Sequence, residues 1–222
     1  MFFLPLMLLY FLIFLFGLAF LFFMVQVGFI SLAFQKLGIP PQHLFSLLFF
    51  SLIGSFINIP IARFEGEPVW EEEVAFSVWG VPYRVRMPRM RETVLGVNLG
   101  GAVIPTLLSL YLWIRMGFPW QPLLGVAIVA SVTHRLSRPV KGVGIVVPLF
   151  IPPLLAALVA LILFPAFSPP MAYISGTMGT LIGADIMNLK KVKQLGAPVA
   201  SIGGAGTFDG IFLTGIIAVL LA

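Results

Sequence analysis

Residues 170–221 read PMAYISGTMGTLIGADIMNLKKVKQLGAPVASIGGAGTFDGIFLTGIIAVLL. Two apolar runs, 170–189 and 200–221, flank a basic turn from Lys190 to Pro198, and each run carries one acid, Asp185 or Asp209. An α-helix needs about 20 mostly apolar residues to cross the hydrocarbon core, and both runs reach that length. Working outward, five further runs lie near residues 3–26, 43–62, 94–114, 121–134 and 142–164. The expected fold class is therefore an all-α polytopic membrane protein with about seven transmembrane helices, forming one transmembrane domain over 1–222. A small cytoplasmic β-hairpin insert is expected at 63–92, between helices two and three. The fourth run is the shortest, and residues 27–42 fit either an extension of the first helix or an interfacial segment.

Composition points the same way. The 222 residues are 60% hydrophobic and 9% charged, against roughly 25% charged in an ordinary soluble domain. Mean hydropathy is +1.10. Aromatics at 14%, with 22 Phe, exclude intrinsic disorder. The absence of cysteine removes disulfides, thiolate metal sites and thiol catalysis. Two distant histidines without an HExxH pattern leave no metal site, and no cofactor is expected. No GxSxG serine appears. The first run starts at Met1 without a basic leader, which reads as a retained anchor rather than a signal peptide.

The charge of +5 suggests loop charge that sets orientation, and no nucleic-acid partner is expected. With the chain alternating sides, 11 of the 13 basic residues fall on the N-terminal side, leaving only Lys36 and Arg115 opposite. That asymmetry predicts a multi-pass protein of the prokaryotic inner membrane, N-terminus cytoplasmic and C-terminus outside. The lipid bilayer is the expected partner. Nothing in the chain indicates an oligomeric state.

The insert holds six of the eight acids: Glu65, Glu67, Glu71, Glu72, Glu73 and Glu92. Alternating letters over Val74–Trp79 and Val81–Met87, with Gly80 between, predict two short strands. A solvated connector accounts for this pattern. Alternatively, an exposed strand edge receives an extended peptide by β-augmentation, with Tyr83, Arg84 and Arg86 near the entry path.

The remaining acids, Asp185 and Asp209, fall inside apolar runs, where each costs about 2.5–3.5 kcal/mol on insertion scales. Ala197 lies twelve residues from each, so a hairpin folded about the basic turn would set both at similar depth. Two carboxylates within hydrogen-bonding reach share a proton, and such a pair can act as general base on water and general acid toward a carbonyl. Gly183 and, around Asp209, Gly204, Gly206 and Gly210 would allow close chain approach and line the substrate path. Plain helix packing explains the same glycines. A structural hydrogen bond to Asn188, Thr180 or Thr207, or a lysine of the turn, would equally satisfy an aspartate. Asn58 and Asn98 suggest helix-to-helix hydrogen bonds or a polar cavity. Pro105, Pro148, Pro152 and Pro153 predict kinks or breaks.

The strings GVNLGGAVIP (96–105), HRLSRPVKGVGIVVPLFIPP (134–153), ISGTMGTLIGADIMNL (174–189) and SIGGAGTFDGIFLTGIIA (201–218) resemble a prokaryotic membrane-protein family, the domain of unknown function 1614 family. The resemblance spans about the last 130 residues and implies no activity. A looser similarity is to intramembrane aspartic proteases of the presenilin and signal-peptide-peptidase class. There Ala184-Asp185 stands for the YD motif and Gly206-Thr207-Phe208-Asp209 for GxGD, which implies catalytic roles for Asp185 and Asp209. Ala184 replaces the motif's Tyr, Phe208 replaces its second Gly, and no Pro-Ala-Leu motif is present.

Three functions are expected in turn. The first is an intramembrane aspartic protease that uses the Asp185–Asp209 pair on a transmembrane peptide substrate. The second is a proton- or cation-coupled transporter using the same acids as its ion site. The third is a membrane scaffold without catalysis.

Overall fold

Prolines punctuate the apolar runs. Pro41, Pro105, Pro122, Pro152 and Pro169 each fall in the first turn of a helix, where a missing N–H costs nothing and the fixed φ is already helical. Pro105, Pro152 and Pro153 therefore start helices instead of kinking them, and Pro148 lies in the connector before one.

A computed structural model describes residues 4–65, 69–76, 82–89, 92–140, 144–192, 199–204 and 210–222, with side chains for 12–19, 26–40, 42–64, 93–140, 144–191, 199–204 and 210–222. The helices are α1 (Leu4–Lys36), α2 (Pro41–Gly54), α3 (Ile104–Arg115), α4 (Gln121–Leu136), α5 (Ile151–Leu163), α6 (Ser168–Thr180), α7 (Leu189–Val192) and α8 (Gly210–Leu221). The strands are β1 (Asn58–Glu65), β2 (Val69–Phe76), β3 (Pro82–Arg89), β4 (Glu92–Asn98), β5 (Arg138–Val140), β6 (Gly144–Val146) and β7 (Val199–Ile202).

The seven-span expectation is corrected by this architecture. Among the described residues no helix is long and apolar enough to cross a membrane. The longest of α2 to α8 has 16 residues, about 24 Å at 1.5 Å per residue, against a core of about 30 Å. The apolar runs are divided among several elements. Run 43–62 passes from α2 into β1, and run 94–114 begins as β4 and continues through a π-helical turn, Leu99–Val103, into α3. Run 142–164 contains β6 before α5, and run 200–221 opens as β7. Run 170–189 leaves α6 through a π-helical turn, Leu181–Asp185, and a 3-10 turn, Ile186–Asn188. A buried strand and a buried helix are spelled with the same apolar letters, so run length alone could not separate them.

Helix α6 sits at the centre, packed by α3, α4, α5 and α8. Its Met171, Ala172, Tyr173 and Ile174 are buried, and Ser175, Thr177 and Thr180 are buried with them. Burial pushes the Tyr173 phenol well above its ordinary range.

The main sheet has the order β1-β4-β7. Strands β1 and β4 are antiparallel, pairing Asn58 with Asn98 and bulging between Pro60 and Ala62. Strands β4 and β7 are parallel, pairing Val94 with Val199 and Val97 with Ile202. Parallel neighbours need a long crossover, and here α3 to α7 lie between the two strands in the chain. The segment read as one hairpin thus contains parts of four strands. Strands β2 and β3 pair antiparallel across 69–76 and 82–89, so β2 starts five residues earlier and β3 ends two residues later than the letter alternation suggested. Trp79, Gly80 and Val81 of the expected hairpin lie outside the described residues.

Candidate site around Asp185

Asp185 closes the π-helical turn after α6. Such turns add one residue to a helical turn and rotate the downstream residues, which re-aims a side chain. Here Asp185 is half-buried, and its Oδ2 accepts a 2.7 Å hydrogen bond from the Gly203 N–H. Asp185 thereby joins the end of α6 to the exit of β7. The Gly203 N–H is a partner that the sequence did not suggest; of the suggested ones, Thr207 lies outside the described residues.

Gly203 suits that role for two reasons. Its φ is +90°, in the left-handed region that glycine tolerates. A Cβ there would also stand 2.6 Å from the Ala102 Cβ. Gly204 comes next at φ +80°.

Asp185 lines a cavity of about 140 Å³. Thr180, Ala184, Gly210, Ile211 and Thr214 contribute from α6, its π-helical turn and α8, while Pro148 and Leu149 of the β6–α5 connector and Pro152 of α5 close it. The Thr214 hydroxyl donates to the Gly210 carbonyl at 2.6 Å. Thr180 is 5% exposed, and its Oγ1 has no hydrogen-bond partner among the described residues. A carboxylate oxygen, a buried unsatisfied hydroxyl and mostly apolar walls make a space in which ordered water is expected.

The predicted site residues separate into four groups. Asp185 and Gly210 meet in this cavity, and Gly204 adjoins Gly203 on the β7 exit. Gly183 is buried against α4, where a Cβ would overlap the Ala130 carbonyl oxygen, so it serves close packing. Asp209 and Gly206 lie outside the described residues. Tyr83 and Arg84 sit on β3, opposite Ala75 and Val74, in a two-stranded sheet separate from the one holding β7. Among the described residues no group of three or more His, Asp or Glu stands close enough to hold a metal ion.

Two asparagines support the site from behind. Asn98 is fully buried: its Nδ2 donates to the Ser55 carbonyl at 2.7 Å and to Asn58 Oδ1 at 3.2 Å, and its Oδ1 accepts from Gly101 N–H at 2.7 Å. Ser201 of β7 donates to the same Asn58 Oδ1 at 2.5 Å. Asn98 thus ties the end of β4 to the C-terminus of α2 and caps the π-helical turn before α3, while Asn58 joins β1 to β4 and β7. Asn188 Nδ2 lies 2.8 Å from Ser137 Oγ, 3.0 Å from the Gly183 carbonyl and 2.9 Å from the Ala184 carbonyl, holding the chain around Asp185.

Among known protein families, the profile of the one described as "Protein of unknown function (DUF1614)" matches residues 52–221. The chain belongs to that family. The match takes in every element from β1 to α8, and so the whole Asp185 cavity, and leaves α1 and most of α2 outside. No curated protein and no solved structure matches the chain.

Proposed function

We propose that this DUF1614 member is an aspartic peptidase working against the lipid bilayer of a prokaryotic cell, with Asp185 and Asp209 as its acid–base pair. One carboxylate takes a proton from a water while the other protonates the carbonyl oxygen of the scissile bond. The observation that carries this reading is that Asp185 lines a cavity shared with Gly210, the residue next to Asp209 in the chain. A substrate route is available beside it. Strand β7 pairs with β4 on one side, and no strand among the described residues occupies its other side. An extended peptide added there would run toward Gly203 and Asp185.

Contact with lipid is supported by the surface. Phe14, Phe16, Phe45, Phe56 and Ile162 are each between 67% and 75% exposed, on four different segments. Monomeric soluble proteins seldom expose so many large apolar groups.

The test is co-expression with a membrane-anchored reporter peptide. Asp185→Asn and Asp209→Asn are expected to abolish cleavage while protein abundance stays level. Full cleavage by both single Asn variants would rule the proposal out.

The size of the cavity favours a second reading. About 140 Å³ holds a few waters or a hydrated cation more readily than a peptide, since pockets for larger ligands run about 300–1,000 Å³. A proton- or cation-coupled carrier using the same acids would show ion flux in liposomes that Asp185→Asn removes, with the reporter peptide left intact.

A further inference from the structure

A second, larger groove lies elsewhere, between α2 and α3, with a volume of about 810 Å³. Its two ends differ in chemistry. The inner end is formed by Ile53, Ile57, Leu99, Val103 and Ile104. It is pinned shut where Ser51 Oγ donates to the Gly100 carbonyl at 3.0 Å and Asn98 Nδ2 donates to the Ser55 carbonyl. The polar lining residues, His43, Ser46 and Tyr111, all belong to the opposite end, at the start of α2 and the end of α3. Arg115 caps that mouth: its guanidinium donates to the Gly38 carbonyl at 3.0 Å and stands 5.8 Å from the centre of the Tyr111 ring. Among the described side chains no carboxylate neutralises it.

A long apolar slot with one basic mouth complements an amphiphile with an anionic head. Exposed Phe45, Phe49 and Phe56 on and just after α2 continue the apolar surface beyond the slot, which suits a lipid drawn from a bilayer rather than a free fatty acid. We propose that this groove holds one acyl chain of an anionic phospholipid, with its phosphate at Arg115 and His43 and its tail directed toward Gly54. This site is separate from the Asp185 cavity and does not depend on the peptidase reading.

The test uses the full chain released from vesicles of equal phosphatidylglycerol and phosphatidylcholine with matched chains, followed by native mass spectrometry. One phosphatidylglycerol per chain is expected, preferred about fivefold, which corresponds to about 1 kcal/mol for one basic residue at the headgroup. Leu107→Trp and, separately, Ser46→Trp fill the slot from exposed positions and should each remove the bound lipid. Arg115→Gln should erase the headgroup preference while Arg115→Lys retains it. Asp185→Asn should leave lipid binding unchanged even where it abolishes function. Equal retention of both lipids by the unaltered chain, lipid retained by both Trp variants, or a lipid-free dimer occupying the groove would each overturn the proposal.

Discussion

Asp185 Oδ2 and the Gly203 amide, 2.7 Å apart, join two chain segments eighteen residues apart in sequence. The bond fixes the carboxylate's direction and ends β7 at the cavity wall. A hydrogen bond to a charged acceptor contributes about 1.5–3 kcal/mol, and a buried donor left alone costs a similar amount. Asp185→Ala is therefore expected to destabilise the protein by about 2 kcal/mol in denaturant titration, and Asp185→Asn by less, because its amide oxygen still accepts. Equal midpoints for the Ala variant and the unaltered protein would show that this bond contributes nothing to stability.

Gly203→Ala combines a backbone penalty with a collision, since φ is +90° and the added methyl meets Ala102. Gly117, at φ +79°, has no atom near its would-be Cβ and provides the control. Strain of the left-handed kind costs about 1–3 kcal/mol. Both Ala variants should lower the melting temperature, with the Gly203 change larger; equal shifts would show that the Ala102 contact is relieved without cost.

The Asn98 side chain satisfies three buried backbone or side-chain groups at once. Asn98→Ala leaves the Gly101 N–H and the Ser55 carbonyl without it, and a loss of about 3 kcal/mol is expected at about 1–3 kcal/mol per orphaned group. Asn98→Asp keeps the acceptor for Gly101 but buries a carboxylate against the Ser55 carbonyl and Asn58 Oδ1, so it should destabilise at least as much as Ala. Hydrogen exchange at Gly101 distinguishes them: fast in Ala, protected in Asp.

Thr180→Val separates stability from function. Its hydroxyl is buried without a hydrogen-bond partner among the described residues, so an isosteric methyl should leave the melting temperature equal or raise it. If water beside Asp185 takes part in the reaction or in ion binding, the same change lowers activity. A Val variant that melts earlier would show that the hydroxyl is held by an ordered water.

Much of the candidate site was legible in the residues. Asp185 stood out because an acid in an apolar run is costly, and it does line a cavity with Gly210. The Gly203 N–H as a partner was not legible, because any N–H in the chain could have served and only the parallel pairing of β4 with β7 brings Gly203 there. Thr180 was read only as a hydrogen-bond partner for an aspartate and Pro148 only as a helix breaker, and neither reading placed them in a cavity wall. The spacing of the prolines divides the apolar runs into helices of 12–16 residues. Pro105, Pro152 and Pro153 were read only as kinks or breaks, whereas in the structure they start helices too short to span.

Composition alone determined that most side chains here are apolar, that cysteine chemistry is absent and that a few acids lie in apolar surroundings, because these are properties of letters and their neighbours. Which apolar segments became strand and which helix was decided by tertiary structure. GVN at 96–98 and VASI at 199–202 extend because each finds a strand partner, and a buried strand gains its backbone hydrogen bonds only from such a neighbour. A helix satisfies its own backbone locally. A strand depends on residues a hundred positions away, and local sequence does not record where they will be.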